Sequence, residues 1–239
     1  NEYWSAIKSG TSGISTISYF DTSDHRVTIA GELKNFDPNN FIEKKEIRKL
    51  DPFSIYALSA AQEAVDSSNI NLEDINLDRA GVVIATGIGG IRTLENEHDI
   101  INNKGPRRVS PLFVSKMIPN IAGGHLSMKF GFRGPSQTII SACASSNDAI
   151  GIALRLIRYG DADIILTGGT EASITPLTIS GFANMKALSQ NCTNPTKASR
   201  PFDADRDGFV LSEGAGILML ESEEHALKRD APILAELAG

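Results

Sequence analysis

The chain is poor in several features that would each point to a class of protein. It has only two cysteines in 239 residues, Cys143 and Cys192, too few for a disulfide framework. Reduced thiols in the cytoplasm are the default expectation. No uninterrupted apolar run approaches the ~18 residues of a membrane helix, so no membrane association is predicted. No basic segment precedes an apolar core at the start, so no secretory signal is visible. Cationic residues are in deficit, 23 Lys and Arg against 29 Asp and Glu, for a net charge of −6. That balance argues against the broad basic footprint of a general nucleic-acid binder. The four histidines, His25, His98, His125 and His225, show no metal spacing with one another or with a cysteine. No Walker-type Gly-Lys-Ser/Thr occurs, and neither a metal nor another cofactor is predicted.

What is present suits a globular protein. Apolar residues make up 41% and charged residues 22%. The length fits one large α/β domain or two small ones. The chain opens at Asn1-Glu2-Tyr3-Trp4 without Met, already inside a helical pattern, and closes at Leu237-Ala238-Gly239 after a strand-like run. The expectation is therefore a piece of a longer protein.

Residues 2–9 read as a short helix, and Val27–Glu32 alternates like a strand. Asp51 before Pro52 is an N-cap signal for a helix to about Asp66, with Ile55, Leu58, Ala61 and Ala64 on its apolar positions. Ala80–Thr86 is a continuous apolar run of a buried strand, broken by Gly87-Ile88-Gly89-Gly90. Residues 91–103 read as a polar helix, and 111–128 as helices joined at Gly123-Gly124. Gln137–Ala142 is a short strand that runs through Cys143 into a helix ending at Gly160, and Asp163–Thr167 is the next strand. This strand–helix–strand order predicts a parallel crossover. Phe209–Leu211 and Gly216–Glu221 read as two further strands.

Cys143 is the sharpest chemical candidate. A strand-to-helix junction places a thiol where the helix dipole and backbone N–H groups favour a thiolate. Small neighbours, Ala142, Ala144, Ser145 and Ser146, leave room for a substrate. A buried structural cysteine is the competing reading. Cys192 sits in a polar loop without such a context. Asp203-Ala204-Asp205-Arg206-Asp207-Gly208 is EF-hand-like in its spacing, but the twelfth position is Gly214 where calcium needs a Glu, so a salt-bridged turn is expected. Gly87–Arg92 fails the dinucleotide fingerprint at its third glycine. His125 reads as a packed helix residue in preference to an active-site base. The run Lys44-Lys45-Glu46-Ile47-Arg48-Lys49 is a solvated face or a docking spot for an acidic partner, and Arg107-Arg108 is a smaller one.

The order and spacing of several segments resemble the elongating β-ketoacyl-acyl carrier protein synthases of the thiolase superfamily. The segments are Phe20–Ser23, Arg133–Ser136, Ser141–Ser146, Tyr159–Asp163, Thr167–Glu171, Gly181-Phe182 through Lys186–Ser189, Ser199–Asp203, Arg206–Val210 and Glu213–Gly216. The resemblance covers nearly the whole chain. It implies an α/β, thiolase-like fold, with residues 1–239 forming the N-terminal half of a duplicated αβαβα layered architecture, short of its first strand.

The resemblance also implies roles. Cys143 is the acyl-accepting nucleophile, with its backbone N–H in the oxyanion hole. Ile88, Phe182 and Phe209 line the acyl pocket. Leu112, Phe113 and Val114 reach toward the pocket of the partner subunit, since the family forms homodimers. Lys45, Arg48 and Lys49, joined by Lys186, dock the acidic acyl carrier protein. The substrates are acyl and malonyl thioesters, joined by decarboxylative condensation in fatty acid synthesis. Two histidines and a lysine needed for decarboxylation belong to the family's second half, so residues 1–239 alone are expected not to complete the reaction. Alternatives are a polyketide ketosynthase domain, a degradative thiolase, an initiating synthase and a non-catalytic carrier-binding module.

Overall fold

The computed structural model describes residues 2–239. They fall into two compact units, one built from residues up to Phe36 with Ala172–Glu213, the other from Asp37–Glu171 with Gly214–Gly239.

The second unit holds a four-stranded mixed sheet. Its strands are β3 (Ala80–Ala85), β4 (Ser136–Ile139), β5 (Ile164–Glu171) and β6 (Gly214–Glu221), in the order β4-β3-β5-β6. β4 and β5 both run parallel to β3, and β6 runs antiparallel to β5. β3 is buried along its whole length, as its Val-Val-Ile run demands of a central strand covered on both faces. Alternation splits the cover. Val83 and Ala85 pack with Ile165 against Ala149 and Ala153 of α7 (Ser145–Arg158). Val82 faces α6 (Ile121–Phe130), where a β-carbon on Gly123 would stand 3.8 Å from its Cγ1. α3 (Pro52–Ser67) joins α6 there, and Thr170 Oγ1 donates to Phe53 O at 2.7 Å. α2 (Lys44–Ile47), α4 (Ile91–Lys104), α5 (Phe113–Met117) and α9 (Glu223–Lys228) complete the unit. Arg79 grips Asp163 with Nε and Nη2, each 2.7 Å, joining the beginnings of β3 and β5. Open to water on both sides, the pair is largely screened and adds little to stability.

Asp51 performs the N-cap its sequence position predicts, accepting from Phe53 N at 3.2 Å. Its second oxygen accepts from Thr93 N (3.0 Å) and Thr93 Oγ1 (2.6 Å), tying α3 to α4.

The first unit holds α1 (Glu2–Lys8), a two-stranded antiparallel pair of β1 (Ser15–Thr16) and β2 (Ile29–Ala30), and α8 (Pro176–Asn184). Its core gathers Ile17, Val27, Ile29, Ile174, Ile179 and Leu188. The buried Glu32 carboxylate accepts from Ser18 N, Ser18 Oγ and Tyr19 N at 2.7–3.1 Å. Gly208, with φ +142°, lets two backbones cross, since a β-carbon there would lie 2.5 Å from Ala187 O.

Four local expectations are corrected. Gly123 and Gly124 lie inside α6, and the helix break falls earlier, where Pro119 separates α5 from α6. Neither glycine is required by packing: a β-carbon on Gly123 would meet Thr138 Oγ1 at 3.5 Å and Val82 Cγ1 at 3.8 Å, ordinary contact distances, and one on Gly124 would meet nothing within 4 Å. The alternating run 27–32 pairs only at Ile29–Ala30, because its partner β1 is two residues long. Phe209–Leu211 forms no strand: Phe209 makes one isolated bridge, to Leu188. Residues 231–239 form no regular element, although Ala238 O accepts from Arg158 Nη2 at 2.7 Å. No helix among the described residues is long and apolar enough to cross a membrane.

Candidate active site

Parallel strands leave a sheet at a common edge, and their C-terminal ends form a crevice for ligands. In register, Ala85 pairs with Ile139 of β4 and with Gly169 of β5. Cys143 therefore follows β4, Ile88 follows β3 and Glu171 ends β5 along one edge of the sheet.

The turn that presents Cys143 is tightly determined. Ala142 adopts φ +54°, a left-handed conformation that costs a non-glycine residue about 1 kcal/mol or more. Ala142–Ala144 forms one 3-10 turn before α7 begins at Ser145. The buried Ser145 hydroxyl holds the strained residue from both sides, accepting from Ser141 N at 2.8 Å and donating to Ala142 O at 2.6 Å. Ser141 Oγ also donates to Asp148 in the first turn of α7. The Cys143 thiol is free and exposed at the N-terminal end of α7. Gly169 permits this approach of helix to strand, for a β-carbon there would lie 2.0 Å from Ser146 Oγ. The expected strand-to-helix cysteine is thus present. Ser145, Asp148 and Gly169 as its supports were not read from the sequence, although the adjacent small residues were a signal for close packing.

The loop after β3 is held at front and back. Glu171 Oε2 accepts from Gly87 N (2.7 Å) and Ile88 N (3.2 Å), and Gly90 N donates to Met117 O at 3.1 Å. Ile88 is 40% exposed. Leu112 and Val114, in the segment entering α5, are exposed, and Phe113 is half-buried.

In the same unit, Lys45, Arg48 and Lys49 are all exposed. Lys45 pairs with Glu43 (2.7 Å) and Lys49 with Glu46 (2.9 Å). Half-buried His125 lies in α6, where burial pushes its pKa down against the opposing pull of Glu46. Arg107 and Arg108 form a 3-10 turn after α4.

The other unit contains the remaining residues. Phe182 and Phe209 meet edge to face, their centroids 5.3 Å apart at 78°. An open cavity of about 800 Å³ is lined by Lys186, Arg200, Phe202, Arg206 and Phe209 among others. Asp207 is a structural residue: it accepts from Ser189 Oγ (2.8 Å) and Gln190 N (2.9 Å) and pairs with Arg200 (3.3 Å). The Ser189 bond is the main reason its carboxyl lies below the usual range. The 203–208 segment is a turn as expected, but it is held mainly by backbone bonds: Asp203 Oδ1 accepts from Asp205 N (2.7 Å), Arg206 Nη1 donates to Asp203 O (2.9 Å), and the ion pair of Asp207 reaches outside it to Arg200. Cys192 packs half-buried against this unit's core.

Comparison with known proteins agrees with this arrangement. The family model described as beta-ketoacyl synthase, N-terminal domain, matches residues 1–226. A 3-oxoacyl-[acyl-carrier-protein] synthase 2 from Synechocystis sp. is 44% identical over 238 residues, which are 100% of this chain and 57% of that protein. The chain thus spans a little over half the length of the curated relatives it matches. Among solved structures, the ishigamide ketosynthase/chain length factor is 30% identical with TM-score 0.91, covering 100% of this chain and 58% of that one. A type II PKS acyl-carrier protein in complex with its ketosynthase bound to the hexaketide is 28% identical with TM-score 0.75, covering 87% and 57% respectively. These likenesses give the chain the thiolase-like α/β fold. A cysteine presented on a strained turn at the edge of that fold, and a family match from residue 1 to residue 226, lead to one conclusion: the chain belongs to the beta-ketoacyl synthase family, as its N-terminal domain.

Proposed function

We propose that this chain is the nucleophile-bearing part of an elongating β-ketoacyl-acyl carrier protein synthase of fatty acid synthesis. The observation that carries the reading is the exposed Cys143 thiol on the strained turn between β4 and α7. The Cys143 Sγ attacks the carbonyl carbon of an acyl thioester, and the Cys143 backbone N–H helps to hold the oxyanion. The C–S bond to the carrier's arm breaks, the departing sulfur takes up the proton that Cys143 gave up, and the acyl group remains on Sγ. In the whole protein, a malonyl thioester then loses CO2, and its carbanion attacks the acyl carbon and releases the thiolate.

Ile88, Phe182 and Phe209 take the roles of acyl-pocket residues, and Lys45, Arg48, Lys49 and Lys186 those of the carrier-docking patch. Leu112, Phe113 and Val114 reach toward the partner subunit of a homodimer. Two free thiols suit the cytoplasm. The 44% identity to a 3-oxoacyl-[acyl-carrier-protein] synthase 2, against 28% to the ketosynthase of a type II PKS, supports the fatty acid reading over the polyketide one.

Incubation with an acyl-carrier protein thioester, followed by peptide mass analysis, tests the reading. One acyl increment on Cys143, absent in Cys143→Ala, supports it. An unmodified Cys143, or equal labelling of Cys192, overturns it.

A further inference from the structure

The geometry points to Glu171 as a positioning residue that sets acyl-chain selectivity by clamping the loop that carries Ile88. This rests on the ketosynthase reading.

Glu171 is the last residue of β5, and the loop 86–90 follows the neighbouring strand β3. One carboxylate oxygen accepts from two successive backbone N–H groups, Gly87 at 2.7 Å and Ile88 at 3.2 Å. Bonds to an ionised acceptor are about twice as strong as neutral ones, and two on one oxygen fix the direction of the peptide as well as its distance. Thr86 extends the clamp, since its Oγ1 accepts from Gly89 N at 3.1 Å and lies 3.5 Å from each Glu171 oxygen. The loop rests directly on the carboxylate: a β-carbon on Gly87 would come within 2.8 Å of Glu171 Oε2. At the rear, a β-carbon on Gly90 would meet Met117 Cα at 2.6 Å. Ile88 is the side chain carried between these two anchors, and it stands 40% exposed beside the strand ends where Cys143 emerges. With the backbone pinned on both sides of it, the Ile88 Cα–Cβ bond keeps its direction while the Glu171 bonds hold, and the side chain moves only by rotation about χ1. Its position then limits the length of chain that can lie against Cys143. Glu171 itself touches no reacting atom.

The test uses full-length protein and two substrates, a four-carbon and a twelve-carbon acyl-carrier thioester, with the rate of Cys143 acylation read by mass spectrometry. In Glu171→Ala the ratio of long-chain to short-chain rate rises about tenfold, the scale that loss of two charge-assisted bonds allows. The short-chain rate stays within about twofold, consistent with a change confined to pocket depth. Glu171→Gln keeps one carbonyl acceptor, so its ratio falls between the other two, and it serves as the folded variant if the alanine protein is unstable. Ile88→Ala raises the ratio by itself, and adding Glu171→Ala to it changes little more, because both act on one loop. Equal slowing of both substrates, or additive effects of the two substitutions, overturns the proposal. If unsubstituted protein acylates Cys143 with neither substrate, the ketosynthase reading has failed instead.

Discussion

Gly169 in β5 and Ser146 in α7 stand so close that a β-carbon on the glycine would lie 2.0 Å from the serine hydroxyl and 3.1 Å from its Cβ. The N-terminal end of α7, and with it the turn at Cys143, can reach the sheet only because position 169 has no side chain. Gly169→Ala is expected to destabilise the protein by about 1–3 kcal/mol through overpacking and to slow Cys143 acylation more than it changes substrate binding. Adding Ser146→Ala removes the worst contact and recovers most of the stability. Denaturant melts and single-turnover acylation of both variants check this.

Asp51 joins two helices through a single carboxylate. Asp51→Ala loses the cap on Phe53 N and strands Thr93 N and Oγ1, so a cost of about 2–4 kcal/mol is expected from the two effects together. Asp51→Asn keeps a capping oxygen and costs less. Thermal unfolding of the two variants gives the order.

Glu221 supplies a pH dependence of known sign. Burial pushes its pKa up, but the bonds from Arg229 (Nε and Nη2, 2.7 Å each) and His225 outweigh this and hold it below its ordinary value of 4.5. The unfolded chain therefore binds the proton first. Stability from this group is complete above about pH 4.5 and is lost as pH falls through the lowered folded value. Asp163, held low chiefly by its bond from Arg79, adds to the same acid limb. In Arg229→Gln, stability is lower at pH 6 and falls less steeply below about pH 4.5. Urea melts across pH 3–6, taken as the difference from the unsubstituted protein, isolate the Glu221 contribution.

The basic run offers a kinetic prediction. Reversing Lys45, Arg48 and Lys49 to Glu is expected to raise KM for an acyl-carrier thioester about tenfold at low salt, with little change for a small free acyl thioester. The difference fades near 0.5 M salt, where the screening length shrinks to about 4 Å. A change of similar size for both substrates would place the effect in folding.

Much of this was legible in the chain itself. Asp51-Pro52, the run Ala80–Thr86 and the junction at Cys143 each announce one local structure, because cap chemistry and continuous apolar burial have few alternatives. The supports of Cys143 were not legible. Ser145 and Asp148 act through hydrogen bonds whose partners lie up to seven residues away, and Ser145 looks like any small polar residue of a helix start. Glu171 was even less visible: it meets Gly87 across 84 residues of sequence, and no local pattern encodes that distance. Gly123-Gly124 misled for a different reason. A glycine weakens a helix by only about 1 kcal/mol, so two of them inside α6 do not end it, whereas Pro119 just ahead of it is the stronger breaker.

The arrangement along the sheet edge has an evolutionary consequence. On the proposed reading, reactivity is set at the end of β4 and capacity on the loop after β3, secured from β5. Under that reading, substitutions at Ile88 or Glu171 retune which chains are accepted while the turn that holds the thiol stays as it is. A lineage could then change its chain preference by small steps, each made on a different strand from the one that carries the thiol.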